Sequence, residues 1–106
     1  MVSNHYKNKR SKRENLIDEY VNGDGYMIDG FIVDRGHKNG AEVHSITING
    51  IIVIHNLHSG RLVTKLIARP HQIERYYEQT KRERPPEYKR VLKLAQWHQS
   101  LGYNRL

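Results

Sequence analysis

Three short turn signals at a fixed spacing constrain the fold of this chain more than any other feature. They are Asn39-Gly40, Asn49-Gly50 and Ser59-Gly60, each set between apolar or β-branched runs. Asn-Gly is a strong hairpin signal because both central positions of a type I′ turn require a positive φ. The spacing predicts a four-stranded antiparallel β-meander, with strands near residues 26–36, 41–48, 51–56 and 61–68.

A helix is predicted before the meander. Residues 13–21 carry apolar side chains at helical spacing and stop at Asn22-Gly23, as a helix end does. The start of this helix is open. Ser11 and Glu14 form a capping box that would leave the first ten residues as a basic arm, whereas Ser3 would cap a longer helix.

Two further helices are predicted after the meander. Pro70 suits a first helical turn, Pro85-Pro86 breaks that helix, and a second one runs from about Glu87 to Leu101 before Gly102. The expected fold class is therefore α+β, with an N-terminal helix and two C-terminal helices packed on the sheet. One domain is expected over residues 1–106, divided into a basic arm and helix (1–22), the meander (26–68) and a helical pair (70–102).

Composition excludes several classes of protein. The chain of 106 residues has no cysteine, which rules out disulfide bridges and thiolate zinc sites. No apolar run approaches the roughly 18 residues that a membrane span needs, and the N-terminus is polar rather than the apolar core of a signal peptide. We expect a soluble, cytoplasmic protein with no membrane partner.

Positive charge is concentrated near both ends of the chain. The formal net charge is +7, and residues 1–13 contain five Lys or Arg and no acid. Residues 69–93 carry eight cations against four acids, whereas residues 14–68 have an acidic excess. Such a distribution attracts phosphate backbones, although a solvated charged surface would show the same counts.

Histidine is the residue type that most suggests chemistry, with seven copies. A metal site would need several of them to converge, but His55 and His58 are separated by a turn and have no acidic neighbour. Neither a G-x-S-x-G elbow nor a phosphate-binding glycine loop occurs. No metal and no cofactor are predicted.

General acid-base cleavage of RNA remains compatible with these residue types. One group removes the 2′-hydroxyl proton, another protonates the departing 5′-oxygen, and cations stabilise charge on phosphorus. His55 is the preferred candidate, because hairpin pairing would set it beside Thr64 and Lys65. The second proton-transfer group would be His5 or His44. Arg69 would supply a transition-state cation, and the alternative is that these are ordinary surface or core residues.

Three segments resemble a known group of enzymes: HYKNKRSKR at 5–13, IDEYVNGD at 17–24 and GIIVIHNLHSGRLVTKL at 50–66. They are similar to the small ribonuclease domains of the barnase, EndoU, colicin and RelE type found in phage and toxin proteins. The resemblance implies that four residues line a cleft between the first helix and the sheet, namely His5, Lys9, Arg13 and Thr64. Lys9 stands where the family usually has arginine, and the C-terminal helices have no counterpart.

Two function hypotheses follow. The first is a metal-independent endoribonuclease of phage or toxin type, with Lys9, Arg10, Arg13 and Arg69 contacting nucleic acid, RNA in preference to DNA. The second is a non-catalytic phage or prophage accessory protein that binds nucleic acid or a host protein. In the second, bases would stack on exposed aromatic side chains among Tyr76, Tyr77, Tyr88 and Trp97. The oligomeric state is left open.

Overall fold

A computed structural model describes Ile17, residues 21–36 and residues 38–102. Four strands form one antiparallel sheet in chain order: β1 (Met27–Val33), β2 (Glu42–Thr47), β3 (Ile51–Asn56) and β4 (Leu62–Ile67). Two helices follow, α1 (Pro70–Thr80) and α2 (Tyr88–Ser100). The α+β class, the meander and the helical pair are thus confirmed. The predicted N-terminal helix falls on residues of which only Ile17 and Val21 are described, and both described helices come after the strands.

The β2–β3 turn uses its Asn-Gly pair differently from the expectation. The Gly50 amide donates to the Thr47 carbonyl oxygen at 3.0 Å, and Gly50 has a φ of 76°. Asn49 keeps a negative φ, so the type I′ geometry is wrong for this turn. Instead a single left-handed glycine follows the turn, as in three-residue hairpin loops. The extra residue lets the Ile51 amide donate to the Thr47 hydroxyl at 3.2 Å.

Apolar residues on both faces of β3 place this strand at the centre of two hydrophobic clusters. We call the side covered by α1 and α2 the helix face and the opposite side the far face. The helix-face cluster consists of Phe31, Ile46, Ile48, Ile52, Ile54, Ala68, Ile73, Tyr77, Val91 and Ala95. The far-face cluster is smaller and consists of Ile17, Val21, Ile51, Val53 and Ile67. Side chains therefore pack against both faces of β3.

Local signals explain where the helices begin and end. At the start of α1, the Arg69 amide donates to the side-chain oxygen of Gln72 at 2.9 Å, and Pro70 occupies the first turn. Lys81 ends the helix in the left-handed region with a φ of 53°. Helix α2 ends before Gly102, which has a φ of 78°.

Helix α2 buries one face and leaves its largest ring outside. Val91, Ala95 and His98 are the buried residues of this helix, whereas Trp97 is 53% exposed. No helix within the described ranges is long and apolar enough to span a bilayer.

Candidate nucleic-acid interface

The predicted site residues of the N-terminal segment lie outside the described residues. These are His5, Lys9, Arg10 and Arg13. Their proposed roles in catalysis and phosphate binding stay predictions.

The strand register divides the other predicted catalytic residues between the two faces of the sheet. Ile54, in the helix-face cluster, pairs with His44 on one side and Thr64 on the other. Paired residues share a face, so His44 and Thr64 belong to the helix face. His55 follows Ile54 and therefore belongs to the far face, as does Lys65, which pairs with Val53.

This division separates His55 from Thr64, which sequence reasoning had set side by side. The hairpin pairs His55 with Leu62 after a bulge, and one step along a strand reverses the face. Lys65 makes an ion pair with Asp24 at 3.0 Å. Arg69 is the exposed N-cap residue of α1. The described part of the chain does not gather the predicted acid, base and cation around one point.

His44 lies inside the fold, in a hydrogen-bonded chain of three side chains. It is 3% exposed, with Nδ1 at 2.6 Å from the Tyr76 hydroxyl and Nε2 at 3.0 Å from Glu42 Oε1. The Glu42 carboxylate can only accept a hydrogen bond, so the hydrogen between the two groups is on Nε2 of His44, which donates it to Glu42 Oε1. In the neutral imidazole, Nδ1 then accepts from the Tyr76 hydroxyl. These two hydrogen bonds hold the Tyr76 ring in place and occupy both ring nitrogens of His44.

Burial keeps Tyr76 in its protonated form. Loss of solvation raises the pKa of Tyr76 to about 12, with Arg35 acting to lower it and Glu42 to raise it. Its ring stacks on Phe31, with centroids 5.1 Å apart and planes inclined by 16°. Tyr76 is therefore a rigid hydrogen-bond donor held from two directions.

Beside Tyr76 a cleft of about 610 Å³ opens between the end of β1 and one stripe of α1. We call it the β1–α1 cleft. It is lined by Phe31, Ile32, Val33, Asp34, Arg35, Gln72, Arg75, Tyr76, Gln79 and Thr80. Apolar side chains of β1 form one wall, and the helix supplies polar and cationic groups to the other.

A second surface lies on the exposed side of α2. A shallow depression there is lined by Pro86, Lys89, Arg90, Lys93, Leu94 and Trp97. The cations of this set are exposed, and the helix itself contains no Asp or Glu. We call the surface formed by Lys89, Arg90, Lys93 and Trp97 the α2 basic face.

Exposure separates Trp97 from the other aromatic residues considered for base stacking. Tyr77 is buried at 1% exposure, and Tyr76 is held in its stack with Phe31. The Arg84 guanidinium lies 5.1 Å from the ring centroid of Tyr88 and covers it. Trp97, at 53% exposure, is the ring of the four with the largest accessible face.

Sequence reasoning missed the cations of both surfaces. Lys89, Arg90 and Lys93 had been counted in the basic C-terminal region, and their helical spacing with Trp97 is a signal that could have found the α2 basic face. No comparable signal joins Arg35 to Arg75, which are brought together by packing of α1 on the sheet. Within the described ranges, no three His, Asp or Glu side chains converge as metal ligands.

Comparison of the chain with protein-family models, with curated proteins and with solved structures finds no match in any of the three. The resemblance to small ribonucleases accordingly stays a prediction.

Proposed function

We propose that the protein is a cytoplasmic nucleic-acid-binding module that holds a single strand on the α2 basic face, RNA in preference to DNA. The observation that carries the proposal is a half-exposed tryptophan that shares a surface depression with three cations of the same helix. Aromatic side chains stack on unpaired bases with little sequence preference, at about 1–3 kcal/mol per base. Lys and Arg beside such a ring supply contacts to the adjoining phosphates.

Helix geometry supports joint use of these residues. Lys89, Lys93 and Trp97 follow each other at intervals of four residues, so they lie along one line of α2 with a rise of about 6 Å per step. Pro86 and Arg90 flank that line in the same depression. A strand running along the helix would meet cations and then the indole ring in succession.

Exposure of a tryptophan in this setting is itself informative. Trp is highly buried on average, and its burial would contribute favourably to folding. Here the helix turns smaller residues inward and leaves the largest ring outside. A binding role accounts for the exposed ring, because a base stacked on it would bury the indole in the complex.

Cleavage is not part of this proposal. His44 is enclosed by its hydrogen bonds, and His55 and Thr64 belong to opposite faces of the sheet. The metal-independent endoribonuclease and the host-protein partner therefore stay alternative hypotheses. A nuclease would need the N-terminal residues His5 and Arg13 to complete it, and they lie outside the described residues.

Tryptophan fluorescence tests the proposal directly, because Trp97 is the only tryptophan in the chain. Titration with single-stranded RNA should quench and shift its emission as a base stacks on the indole. Trp97→Ala should weaken RNA binding, measured by anisotropy of a labelled strand, by about 1–3 kcal/mol. Leu101→Ala is the matched control, since Leu101 is also an exposed apolar residue at the end of α2. Unquenched emission at saturation would refute the stacking contact.

Salt dependence tests the cationic part. For single strands the slope of log K against log salt is about −0.7 per phosphate contact, so three contacts predict about −2. Lys93→Ala should reduce the slope by about 0.7, whereas Lys38→Ala, on the β1–β2 connection, should leave it unchanged. Equal slopes for the two variants would place the binding surface elsewhere.

RNA and DNA strands of the same sequence distinguish the preferred partner, because only the ribose offers a 2′-hydroxyl. The same samples, incubated in EDTA at high protein concentration, separate binding from cleavage. Intact RNA is expected. Metal-independent fragments that disappear in His55→Ala would instead support the ribonuclease hypothesis.

A further inference from the structure

The β1–α1 cleft is a second surface with the features of a ligand site, and the α2 basic face shares none of its lining residues. We propose that this cleft binds a phosphate monoester carried by a nucleoside-sized organic group, with Arg35 and Arg75 holding the phosphate. The proposal does not depend on the α2 basic face.

The two arginines come from different elements and face a shared space. Arg35 follows β1 and Arg75 lies on α1, and both are exposed lining residues of the cleft. Neither arginine side chain makes an ion pair or a hydrogen bond with another residue in the described ranges. Their guanidinium groups are thus available for a ligand, and planar guanidinium forks match phosphate oxygens in geometry.

The backbone beside Arg35 is set by a local turn. The Asp34 carboxylate accepts a hydrogen bond from the Gly36 amide at 2.9 Å, and Gly36 has a φ of 72°. This closes an Asx-type turn with Arg35 at its centre. The Asp34 carboxylate keeps its charge in this turn, and the two arginines outnumber it among the residues that line the cleft.

The helix wall is equally well defined. Gln72, Arg75 and Gln79 project from one stripe of α1 at spacings of three and four residues. The oxygen of Gln72 already accepts the Arg69 amide, which orients the remaining NH2 group as a donor. Donors and cations therefore predominate on this wall, as an oxyanion requires.

The floor of the cleft is pre-organised. Tyr76 is fixed by its hydroxyl bond to His44 and by stacking on Phe31, and Arg82 lies 4.4 Å from the Phe31 ring centroid on that aromatic pair. Such support reduces the ordering that ligand binding would otherwise require.

The size and polarity of the cleft define the class of ligand. Its volume of about 610 Å³ lies within the usual range for small-molecule sites. Phe31 and half-buried Val33, which share the helix face of β1, give this wall an apolar character that suits an organic group next to the phosphate. A phosphate monoester presents three acceptor oxygens and nearly two negative charges, so both guanidinium groups can bind it at once.

Adenosine 5′-monophosphate is a suitable probe, with adenosine as the uncharged control. In amide-resolved NMR titrations the monophosphate should shift the signals of Arg35 and of residues 72–80, and adenosine should not. Arg35→Ala and Arg75→Ala should each weaken binding about tenfold, as expected for loss of one charge-assisted contact. Both residues are exposed, so the spectra of the variants should remain those of the folded protein.

Arg61→Ala is the matched control and should leave binding of the monophosphate unchanged, since Arg61 is an exposed arginine that lines neither this cleft nor the depression on α2. Equal binding of adenosine and its monophosphate, or full affinity in Arg75→Ala, would overturn the proposal. Failure of the Trp97 experiments would leave this proposal intact, because Trp97 does not line this cleft.

The source of the phosphate is decided by a second pair of probes, a short RNA with a 5′-phosphate and the same RNA with a 5′-hydroxyl. Tighter binding of the phosphorylated strand, lost in Arg35→Ala, assigns the cleft to a strand end. Equal binding of the two strands, together with binding of the monophosphate, assigns it to a free nucleotide.

Discussion

Polar residues on the two faces of the sheet differ in how their hydrogen-bonding groups are satisfied. On the helix face His44 is enclosed, and both of its ring nitrogens have hydrogen-bond partners. On the far face His55 is half-buried, and Lys65 makes an ion pair with Asp24 at side-chain exposures of 26% and 31%. A polar group under two packed helices must be satisfied by protein, whereas a partly exposed one is also satisfied by water. The same residue type is thus structural on one face and accessible on the other.

The largest expected effects concern the two hydrophobic clusters. Ile52→Ala removes a side chain with 0% exposure from the larger helix-face cluster and should lower the free energy of unfolding by about 4 kcal/mol. Ile67→Ala, in the smaller far-face cluster, should cost about 2 kcal/mol, because its surroundings can relax more easily. Denaturant unfolding measures both. An equal or greater loss for Ile67→Ala would break the comparison.

A smaller effect is expected for the buried hydrogen-bonded chain. His44→Phe keeps a ring of similar size but leaves Glu42 and the Tyr76 hydroxyl without their partner, which should cost about 2 kcal/mol. His55→Phe, the matched change on the far face, should alter stability by less than about 0.5 kcal/mol.

A double-mutant cycle gives a sharper measure of the same chain. Tyr76→Phe combined with His44→Phe should cost less than the sum of the single losses, since the second change removes a group that the first had already left unsatisfied. Strict additivity would show that the bond between His44 and Tyr76 contributes nothing to stability.

Acid should destabilise the protein through His98, which lies on α2 and is 1% exposed. Burial lowers the pKa of His98 below its ordinary value of 6.5. The unfolded chain therefore binds a proton that the folded protein does not, so the free energy of unfolding should fall as the pH decreases through about 6.5. Unfolding curves across this interval should show a shallower pH dependence in His98→Gln. An identical slope in the variant would assign the acid sensitivity to other groups.

The sequence predicted the order of elements well because turns and helix ends are local. Asn-Gly and Ser-Gly pairs located the hairpins, and Pro70 and Gly102 located the limits of the helical pair. The geometry of the turn at Gly50 could not be predicted in the same way. The dipeptide predicts a turn, but the number of residues in the turn depends on which cross-strand pairs form around it.

Placement of the site residues could not be predicted, because the face of a strand residue depends on register and bulges. His55 and Thr64 were expected together, yet the pairing of Ile54 with Thr64 puts them on opposite faces. Burial of His44 depends on Tyr76, which lies 32 positions later in the chain. Exposure of Trp97 depends on the rotation of α2 against the sheet, which is set by packing of all the buried residues at once.

The smallest expected effect tests whether the far face is as accessible as its residues indicate. Lys65→Met removes the ion pair with Asp24 and should lower the free energy of unfolding by about 0.5 kcal/mol at low salt, since partly exposed pairs contribute little. The difference should vanish at high ionic strength, where exposed charges are screened. Lys38→Met is the matched control, because Lys38 is exposed and makes no ion pair with a described residue.

A double-mutant cycle with Asp24→Asn isolates the pair from the packing of the lysine stem. A coupling above about 1.5 kcal/mol that persists in salt would be typical of an enclosed pair. That result would make the far face equivalent to the helix face, since polar groups would then depend on protein partners on both. A weak, salt-sensitive coupling would instead show that the polar groups of the far face are satisfied mainly by water. His55 and Lys65 would then be groups that a ligand can reach without disrupting the core.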